Sequence, residues 1–295
     1  MKVRRYKIST KILTVAVGIA VATLLVSGLV GFSLTRAALE DQAFRELTAV
    51  REMKGQQIED YFRLIRNQVL TFSQDSMVVD AMRDFRLAYH ALGDSLALFG
   101  DEEPDELRTY YSTEFLPRLN QNLPDPGSIE TYWPTDPITQ YFQDIYIGSN
   151  PNDTGEKHLL DAPTDGSLYS RVHGSYHPIF RDFLEKFGYY DIFLVDPDTG
   201  HIVYSVFKEV DFATSLLTGP YADTNFAEVF GAARDAEDKD FVRLADFAPY
   251  HPSYNDQASF IASPIYEGGT LLGVLVFQMP VDRINDIMTN KQAWE

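Results

Sequence analysis

Positions 12–34 carry no charge and only four hydroxyl side chains, and this run is the strongest hydrophobic pattern in the chain. At about 1.5 Å of rise per residue, a helix of that length spans roughly 34 Å, which is enough for a hydrocarbon core of about 30 Å. Five of the eleven residues before the run are Lys or Arg, and the first acidic residue is Glu40. Because basic residues flank the cytoplasmic side of membrane helices, the pattern predicts a cytoplasmic tail at 1–11, a transmembrane helix at 12–34 and an outer part beyond it.

A cleaved secretory signal is the alternative for such an N-terminus. Signal h-regions run to about 15 residues and end at a small-x-small site. This run is longer, and residues 35–39, TRAAL, make a poor cleavage site, so an uncleaved anchor is predicted. Gly18 with Ala22 and Ser27 with Gly31 are four residues apart, a spacing that favours close packing of two such helices in a homodimer.

A helical period continues after the anchor. Between residues 35 and 89 there is no proline, and Gly55 is the only glycine. Apolar residues follow one another at steps of four, three, four and three, namely Ile58, Phe62, Ile65, Val69 and Phe72. This stripe predicts a long stalk helix over 35–90, which could transmit a displacement along its axis. The alternative is that the stripe only packs against its own domain.

Turn-forming residues interrupt the helical period over residues 91–169. An acidic run at 101–106 is too charged to be buried and predicts a solvated loop, with helical pieces near 107–119. Prolines then recur from Pro117 to Pro163, interleaved with large aromatic residues such as Tyr132 and Trp133. A linker would lack those apolar groups, so the pattern predicts a folded insertion that is helical and loop-rich.

The period changes from helix to sheet near residue 189. β-Branched and aromatic runs predict strands at 189–195, 201–207, 241–247, 259–266 and 271–279, with a tight turn at 196–200 and a helical excursion at about 212–236. The predicted fold class is therefore α+β, with a five-stranded antiparallel sheet covered on one face. Residues 283–295 begin an amphipathic connecting helix with no terminating Gly or Pro. We interpret this as a helix that is cut off, so we expect the chain to be a fragment of a longer protein.

Composition limits the possible functions. The 295 residues are 45% hydrophobic, enough for a sizeable core, and the formal net charge is −18, which becomes −23 without the five basic residues of the tail. So acidic an outer part should repel nucleic acid and anionic lipid. The absence of cysteine excludes disulfides, a thiolate nucleophile and zinc–thiolate sites, and it is compatible with a bacterial periplasm.

The order of these elements resembles that of bacterial transmembrane receptors with a double Cache sensor domain outside the cytoplasm. Three segments carry the resemblance, FGYYDIFLVDPDTGHIVYSVFKEVDF, GPYADTNFA and DFAPYHPSYNDQASFIASPIYEGGTLLGVLVFQMPVDRINDIM. They are similar to the membrane-distal Cache half of methyl-accepting chemotaxis proteins and of related sensor kinases and cyclases, over most of residues 159–288. The resemblance implies a PAS-like Cache domain at 170–282. It also implies a longer receptor with a second membrane helix, a HAMP linker and a cytoplasmic signalling module.

Amino-acid sensors of that family carry an Arg-x-Trp-Tyr arrangement after the second strand and a later Asp for the ligand amine. Here residues 216–221 read LLTGPY, without the arginine or the tryptophan, which puts amino-acid binding by that mode in doubt. Polar residues within apolar strands, or near strand ends, supply other candidates for ligand binding. They are Tyr204, Lys208, Asp211, Tyr221, Asp246, Tyr250 and Ser263. For each of them the alternative is a hydrogen-bonded residue at a sheet edge or turn.

Signatures of catalysis and metal binding are weak. The sequence has no His-Glu-x-x-His, no phosphate-binding Gly-rich loop and no Gly-x-Ser-x-Gly elbow. His173 and His177 are four apart as metal ligands on a helix would be, but Gly174 and Pro178 are expected to weaken that helix. Oxygen-bearing side chains that could bind calcium lack the EF-hand spacing and are interpreted as a solvated loop; they are Asn150, Asn152, Asp153, Asp161 and Asp165.

Together these patterns predict an extracytoplasmic small-molecule sensor anchored in the inner membrane, chemoreceptor-like, with its main domain in the periplasm. No enzymatic activity, cofactor, metal or nucleic-acid partner is predicted. The predicted partners are a small-molecule ligand, the membrane and a second copy of the chain, through the membrane and stalk helices. The alternatives are a membrane-tethered hydrolase, which would need a convergent nucleophile and base, and a structural envelope protein.

Overall fold

The computed structural model describes residues 7–96 and 104–289, and the chain divides into two compact units between residues 59 and 60. The first helix, α1, runs over Ile8–Ser73. In the first unit its side chains are exposed except for the half-buried Lys54 and Ile58. Among the described residues it is the one helix long and apolar enough, by length and composition, to cross a membrane, with a mean hydropathy of 2.4 over an 18-residue window.

The second unit contains the last turns of α1 and a series of helices. They are α2 (Ser76–Leu96), α3 (Asp105–Tyr110), α4 (Leu116–Asn120), α5 (Ile129–Tyr132), α6 (Pro137–Gln143) and α7 (Leu168–Phe187). Two π-helical turns, Tyr111–Phe115 and Asp144–Gly148, follow α3 and α6. Ser167 caps the start of α7 by accepting the Ser170 N–H, and Gly188 ends it with a left-handed φ of 73°. Glycine adopts that φ without steric cost, which lets the chain turn at once into the sheet.

Five antiparallel strands form one sheet in the order β2-β1-β5-β4-β3. The strands are β1 (Asp191–Val195), β2 (Ile202–Ser205), β3 (Arg243–Tyr250), β4 (Asp256–Glu267) and β5 (Thr270–Met279). Helix α8 (Asn225–Arg234) lies between β2 and β3 in the chain, and α9 (Val281–Thr289) follows β5. The predicted α+β class with a five-stranded antiparallel sheet is confirmed.

Register assigns alternate residues of each strand to opposite faces of the sheet, because directly paired residues share a face and neighbours along a strand do not. One face, called the α7 face, carries Ile192, Leu194, Tyr204, Ser263 and Phe277. Aromatic rings of α1, α2 and α7 cover it; for example, the centroid of Phe85 lies 4.6 Å from that of Tyr204, and that of Phe72 lies 6.0 Å from that of Phe277.

The opposite face, called the α8 face, carries Asp191, Phe193, Ser205, Phe260 and Gln278. Phe226 of α8 covers its centre, with ring centroids 4.6 Å from Phe193 and 4.7 Å from Phe260. Both faces of the sheet are therefore buried, whereas the sequence predicted one covered face. This correction explains why the central strands read as continuous apolar runs and not as clean alternation.

Two predicted helices have different bounds. The single stalk helix expected over 35–90 breaks at Gln74–Asp75, because the Asp75 carboxylate accepts the Met77 N–H at 2.8 Å and offers the backbone a turn instead. The excursion expected at 212–236 is helical only over Asn225–Arg234, where Thr224 caps the helix. Residues before it form turns against β2, through the bridge between His201 and Ser215.

The expected weakening of the helix around His173 and His177 is also wrong. Helix α7 runs through Gly174 and Pro178 without interruption, because its packing against α2 and the sheet outweighs the local cost of proline. Residues 101–103 of the predicted acidic loop, and residues 290–295 of the predicted connecting helix, lie outside the described residues.

Candidate functional site

After β2 the chain turns inward under the sheet edge and does not continue to the surface. Lys208 and Ala213 both have left-handed φ values, 62° and 66°, and residues 208–216 are all buried. Gln143 of α6 holds this segment by donating from Nε2 to two of its carbonyl oxygens, at 2.7 and 2.8 Å. The insertion thus supplies hydrogen-bond donors for the Val210 and Phe212 carbonyl oxygens. The carboxyl groups of Glu209 and Asp211 bond the hydroxyl groups of Ser253 and Tyr250, on the side of the α8 face.

Asp191 is a fully buried acid at the start of β1, an inner strand of the sheet. Its Oδ1 accepts three backbone N–H groups, from Ile192 at 2.6 Å, Val206 at 2.8 Å and Phe207 at 3.0 Å. Those bonds hold the end of β2 against β1. Its Oδ2 has no hydrogen-bond partner. Oδ1 therefore has a structural role, and Oδ2 is left to accept a hydrogen bond from another molecule.

Two further acids from the inward segment lie beside Asp191. Glu209 accepts the Tyr190 hydroxyl on Oε1 and the Ser253 hydroxyl on Oε2, each at 2.7 Å. Asp211 accepts the Tyr250 hydroxyl on Oδ2 at 2.7 Å and leaves Oδ1 without a partner. Asp191, Glu209 and Asp211 are called the acidic cluster below.

Lys208 carries a buried positive charge next to the acidic cluster. Its ammonium donates to the Ser205 carbonyl oxygen and lies 4.6 Å from the ring centroid of Tyr204 and 4.8 Å from that of Phe212. Burial lowers its pKa, and the charge of Asp191 opposes that shift. Contacts of an ammonium with aromatic faces stabilise it when water is excluded. The ammonium is therefore already partnered within the protein.

Burial also governs the protonation of the acids. It raises the pKa of Asp211 to about 6, while the Tyr250 hydroxyl opposes the shift. Burial and the neighbouring Asp211 charge raise the pKa of Asp191, and the same two causes raise that of Glu209 well above its usual value. Three carboxyl groups so close together cannot all ionise without a compensating positive charge.

Five buried polar atoms without hydrogen-bond partners belong to this region of the α8 face. They are Asp191 Oδ2, Ser205 Oγ, Asp211 Oδ1, the Tyr221 hydroxyl and Gln278 Oε1, on residues that are at most 2% exposed. Register places Asp191, Ser205 and Gln278 on one face of neighbouring strands. Buried polar groups in folded proteins nearly always have a partner, so this concentration makes the region the candidate site.

The structure separates the seven residues proposed from the sequence. Asp211, Tyr221 and Tyr250 lie together at the acidic cluster, and Lys208 lies at its edge. Tyr204 and Ser263 are on the α7 face, where the Tyr204 hydroxyl bonds His177 Nδ1 at 2.8 Å and Ser263 bonds Ser73 at 3.0 Å. Asp246 is exposed on β3. A ligand-binding role for the whole set stays a prediction.

Sequence reasoning missed Asp191, Ser205, Glu209 and Gln278. Asp191 and Gln278 interrupt apolar strands, which is the signal that selected Tyr204 and Ser263, so the same rule applied to every strand would have found them. Glu209 lies between two selected residues and has no strand pattern to distinguish it. Only the left-handed turn at Lys208 brings it inside.

The histidines of α7 are bound to protein groups. The His177 ring uses Nδ1 for Tyr204 and Nε2 for the His158 carbonyl oxygen at 2.7 Å. His173 Nδ1 bonds the Asp161 carbonyl oxygen at 2.6 Å, and His173 Nε2 is buried without a partner in the described part of the chain. Among the described residues, no three His, Asp or Glu side chains converge on a metal position. Asn150 is buried and donates to two backbone carbonyl oxygens, which leaves a structural role for it.

Grooves on the surface lie elsewhere in the second unit. One of about 650 Å³ is lined mainly by charged and hydroxyl side chains of α3, the first π-helical turn and residues 152–157. Another of about 510 Å³ lies at the start of α8. None of the unpartnered buried atoms of the described residues belongs to the lining of the 650 Å³ groove. The acidic cluster is the stronger candidate site, because five unpartnered buried atoms of the described residues lie there, whereas the 650 Å³ groove has none and the 510 Å³ groove has one, Asn225 Oδ1.

No protein-family model matches the sequence, and no curated protein matches it. Three solved structures show a distant similarity. The sensor domain of the histidine kinase DctB from V. cholerae is 16% identical, with 69% of this chain and 61% of that chain covered and a TM-score of 0.32. The ligand-binding domain of the Pseudomonas fluorescens chemoreceptor CtaA, in complex with L-serine, is 14% identical, with 69% and 66% covered and a TM-score of 0.30.

The third is the ligand-binding domain of the Campylobacter jejuni chemoreceptor Tlp3, in complex with 4-methylisoleucine. It is 10% identical, with 76% of this chain and 67% of that chain covered and a TM-score of 0.28. The chain spans less than two thirds of the length of the first two structures. All three are sensor or ligand-binding domains, and similarity at this level does not establish a common family.

Proposed function

We propose that this chain is the sensor part of a membrane-anchored signal-transduction receptor, and that it binds a small molecule at the acidic cluster. The observation that carries the proposal is the group of five unpartnered buried polar atoms on the α8 face. A core that served packing alone would gain stability by replacing these groups with apolar ones. Keeping them is reasonable if a ligand supplies the missing partners.

The α8 face is connected to α1 through the sheet. Phe277, on the strand that pairs with Asp191's strand, contacts the ring of Phe72 near the end of α1, and the Ser73 hydroxyl bonds Ser263 on β4. A ligand on the α8 face that changes the twist or spacing of β1, β4 and β5 would therefore shift the last turns of α1. The shift is limited by the difference in affinity of the ligand for the two arrangements.

The proposed location is a bacterial inner membrane, with residues 1–11 in the cytoplasm and the second unit in the periplasm. The absence of cysteine makes this directly testable, because any introduced thiol is unique. Asp125→Cys should react with a membrane-impermeant maleimide in intact cells, and Lys7→Cys should react only after the membrane is opened. The reverse pattern would refute the topology and the receptor function with it.

The receptor is proposed to be a homodimer through α1. Within the first unit, exposed apolar residues continue past the membrane run, at Leu39, Phe44, Leu47, Val50 and Met53. A helix with such a surface gains stability by burying it against a second copy. Single cysteines placed one by one along residues 39–53 should form disulfide-linked dimers in membranes with a helical period, and a flat profile would contradict the dimer.

Ligand binding is tested with the full chain in detergent micelles. Thermal shift screening against a broad set of amines, amino acids, carboxylates, sugars and nucleobases should find compounds that raise the melting temperature. The shift should be lost in Asp211→Asn and kept in Asp256→Asn, a matched change at an exposed carboxyl group at the start of β4. If every compound found still binds Asp211→Asn with unchanged affinity, the acidic cluster is not the ligand site.

A further inference from the structure

The unpartnered atoms of the acidic cluster differ from those of an ordinary polar site, because three of the five can only accept hydrogen bonds once the carboxyl groups are ionised. Asp191 Oδ2, Asp211 Oδ1 and Gln278 Oε1 are carboxylate or amide oxygens, whereas the hydroxyls of Ser205 and Tyr221 can accept or donate. A molecule that satisfies this set must bring at least three hydrogen-bond donors. An alkylammonium group brings three on one atom.

Charge favours the same kind of molecule. The acidic cluster holds three carboxyl groups and one neighbouring ammonium, that of Lys208, which the Ser205 carbonyl oxygen and the faces of Tyr204 and Phe212 already hold. A ligand carboxylate would meet three acids and no free cation of the cluster. A ligand ammonium would supply the positive charge that buried carboxylates require in a dry core.

A metal ion is the other cation to consider. Asp191 uses Oδ1 for three backbone N–H groups, and Glu209 uses both oxygens for hydroxyl groups, so neither offers a full carboxylate for coordination. In residues 7–96 and 104–289 no group of three His, Asp or Glu side chains could hold one. The oxygen atoms without partners belong to separate residues, Asp191, Asp211 and Gln278. An organic cation whose N–H donors lie on different atoms can bond more than one of them.

We propose that the acidic cluster binds a small organic amine without a carboxylate, whose ammonium donates to Asp191 Oδ2 and Asp211 Oδ1, and that the amine enters in exchange for protons. The proposal rests on the sensor function proposed above and specifies its ligand. Gln278 Oε1, Ser205 Oγ and the Tyr221 hydroxyl then supply the remaining contacts. A second ammonium on the same ligand would offset the remaining acid of the cluster.

Protons are exchanged because the empty cluster cannot remain fully ionised. Burial raises the pKa of Asp211 to about 6 and raises that of Asp191 and Glu209 as well, so the unliganded site carries protons near neutral pH. A bound ammonium stabilises the ionised carboxylates and drives these protons off. Affinity for the amine should therefore rise as the pH rises from 6 to 8, a range in which an alkylammonium stays charged.

The other titratable groups at the site do not reverse this dependence. Burial lowers the pKa of Lys208 to about 7, so this ammonium also loses its proton over this range, and a cation bound beside it favours that loss. The remaining groups are phenols whose pKa values burial raises above the usual value, so they stay neutral over this range; they are Tyr110, Tyr111, Tyr190, Tyr221, Tyr250 and Tyr254. Proton release on binding is therefore assigned to the carboxyl groups together with Lys208, and both make the affinity for the amine rise with pH.

The test uses four compounds of one chain length and different charge, namely 1,4-diaminobutane, 1-aminobutane, 4-aminobutanoate and butanedioate. Calorimetric titration of the full chain in detergent at pH 8 should find 1,4-diaminobutane the tightest and 1-aminobutane next. 4-Aminobutanoate should bind at least about tenfold more weakly than 1-aminobutane, and butanedioate should not bind. The apparent heat for 1,4-diaminobutane should differ between buffers of different ionisation enthalpy in the sense of proton release.

Isosteric variants locate the contact. Asp191→Asn and Asp211→Asn keep the oxygen that the backbone or Tyr250 uses and turn the unpartnered oxygen into a donor. Each should weaken 1,4-diaminobutane by about tenfold to a hundredfold, the usual cost of a hydrogen bond to a charged group. Asp256→Asn should leave the affinity unchanged.

The outcomes separate this inference from the sensor function. If 4-aminobutanoate or butanedioate binds as tightly as the amines and depends on Asp211, the site is real and the ligand class is wrong. If none of the four binds, or binding is unchanged in both aspartate variants, the inference is overturned. If a wider panel also contains no compound that depends on the cluster, ordered water fills it and the sensor function fails too.

Discussion

The two faces of the sheet bury polar groups in opposite ways. On the α7 face the Tyr204 hydroxyl bonds a histidine and Ser263 bonds Ser73, so the strand residues that interrupt the apolar pattern have partners. On the α8 face Asp191, Ser205 and Gln278 interrupt the same strands and keep unpartnered atoms. The polar strand residues of the α7 face are thus paired with the covering helices, where His173 Nε2 is left without a partner, and those of the α8 face keep atoms that the chain itself does not pair.

The difference shows why burial of a polar residue is a poor guide to function on its own. Tyr204 and Ser205 are adjacent in β2 and equally buried, yet they serve opposite faces. What distinguishes them is whether a partner from another element reaches the polar atom. Four experiments test that comparison, and they are ordered from the largest expected effect to the smallest.

Removing an aromatic ring from the α7 face should have the largest effect on stability. Phe277→Ala deletes a ring that is fully buried against Phe72, Phe183 and Tyr189, and the cavity should lower the free energy of unfolding by about 3–5 kcal/mol. Chemical denaturation of the full chain in detergent measures the loss. Leu244→Ala, on edge strand β3 and 38% exposed, is the control and should stay within about 0.5 kcal/mol of the wild type.

A pH titration should next distinguish the acidic cluster from the rest of the core. Because the pKa of Asp211 is raised to about 6 on folding, the folded state binds more protons than the unfolded state between about pH 4 and 6. Stability contributed by the protonated group is therefore lost as the pH rises through that window. Asp211→Asn lacks this loss, so its stability relative to the wild type should improve by about 2 kcal/mol between pH 4 and 7 and then stay level. A constant difference would show that Asp211 is ionised throughout.

Two tyrosine hydroxyls offer a matched comparison of the faces. Tyr204→Phe leaves His177 Nδ1 without its donor in a buried position and should cost about 1–2 kcal/mol in the free energy of unfolding. Tyr221→Phe removes a hydroxyl with no partner and should cost nothing or increase stability slightly. Equal losses for the two variants would mean that the Tyr221 hydroxyl has a partner in the ligand-free protein.

Ser263 and Ser205 allow the same comparison of the two faces, with the smallest expected effect. Ser263→Ala removes the bond to Ser73, which keeps its own bond to the Leu70 carbonyl oxygen, so the expected loss is about 0.5–1 kcal/mol. Ser205→Ala removes an unpartnered hydroxyl and should be neutral in the free protein, yet it should reduce ligand affinity. A neutral Ser263→Ala together with a costly Ser205→Ala would reverse the assignment of the faces.

Much of the fold followed from local pattern. The β-branched and aromatic runs predicted all five strands within a few residues, and the turn at 196–200 follows from Asp-Pro-Asp-Thr-Gly, where Gly200 has a φ of 72°. The helix break at Asp75 was missed because a side chain that captures a backbone N–H leaves no mark in hydrophobic periodicity. The continuity of α7 through Pro178 was missed because tertiary packing outweighs propensity.

The candidate site was predicted only in part. Asp211, Tyr221 and Tyr250 were selected from their positions near strand ends, and they do come together. Tyr204 and Ser263 were selected by a rule that detects polar residues in strands but not the face they point to. Asp191 and Gln278 obey that same rule, and their pairing across β1 and β5 became visible only with the register.

The sequence by itself determined the membrane-length apolar helix, the α+β class, the five strands and the excess of acidic groups, because each of these depends on neighbours along the chain. The tertiary structure alone decided which polar residues of those strands are satisfied and which are not. That distinction depends on contacts between residues far apart in sequence, such as Tyr250 with Asp211 and His177 with Tyr204, and on the left-handed turn that carries Glu209 and Asp211 inside. A hydrogen bond needs two groups within about 3 Å, and periodicity along a chain contains no information on that distance.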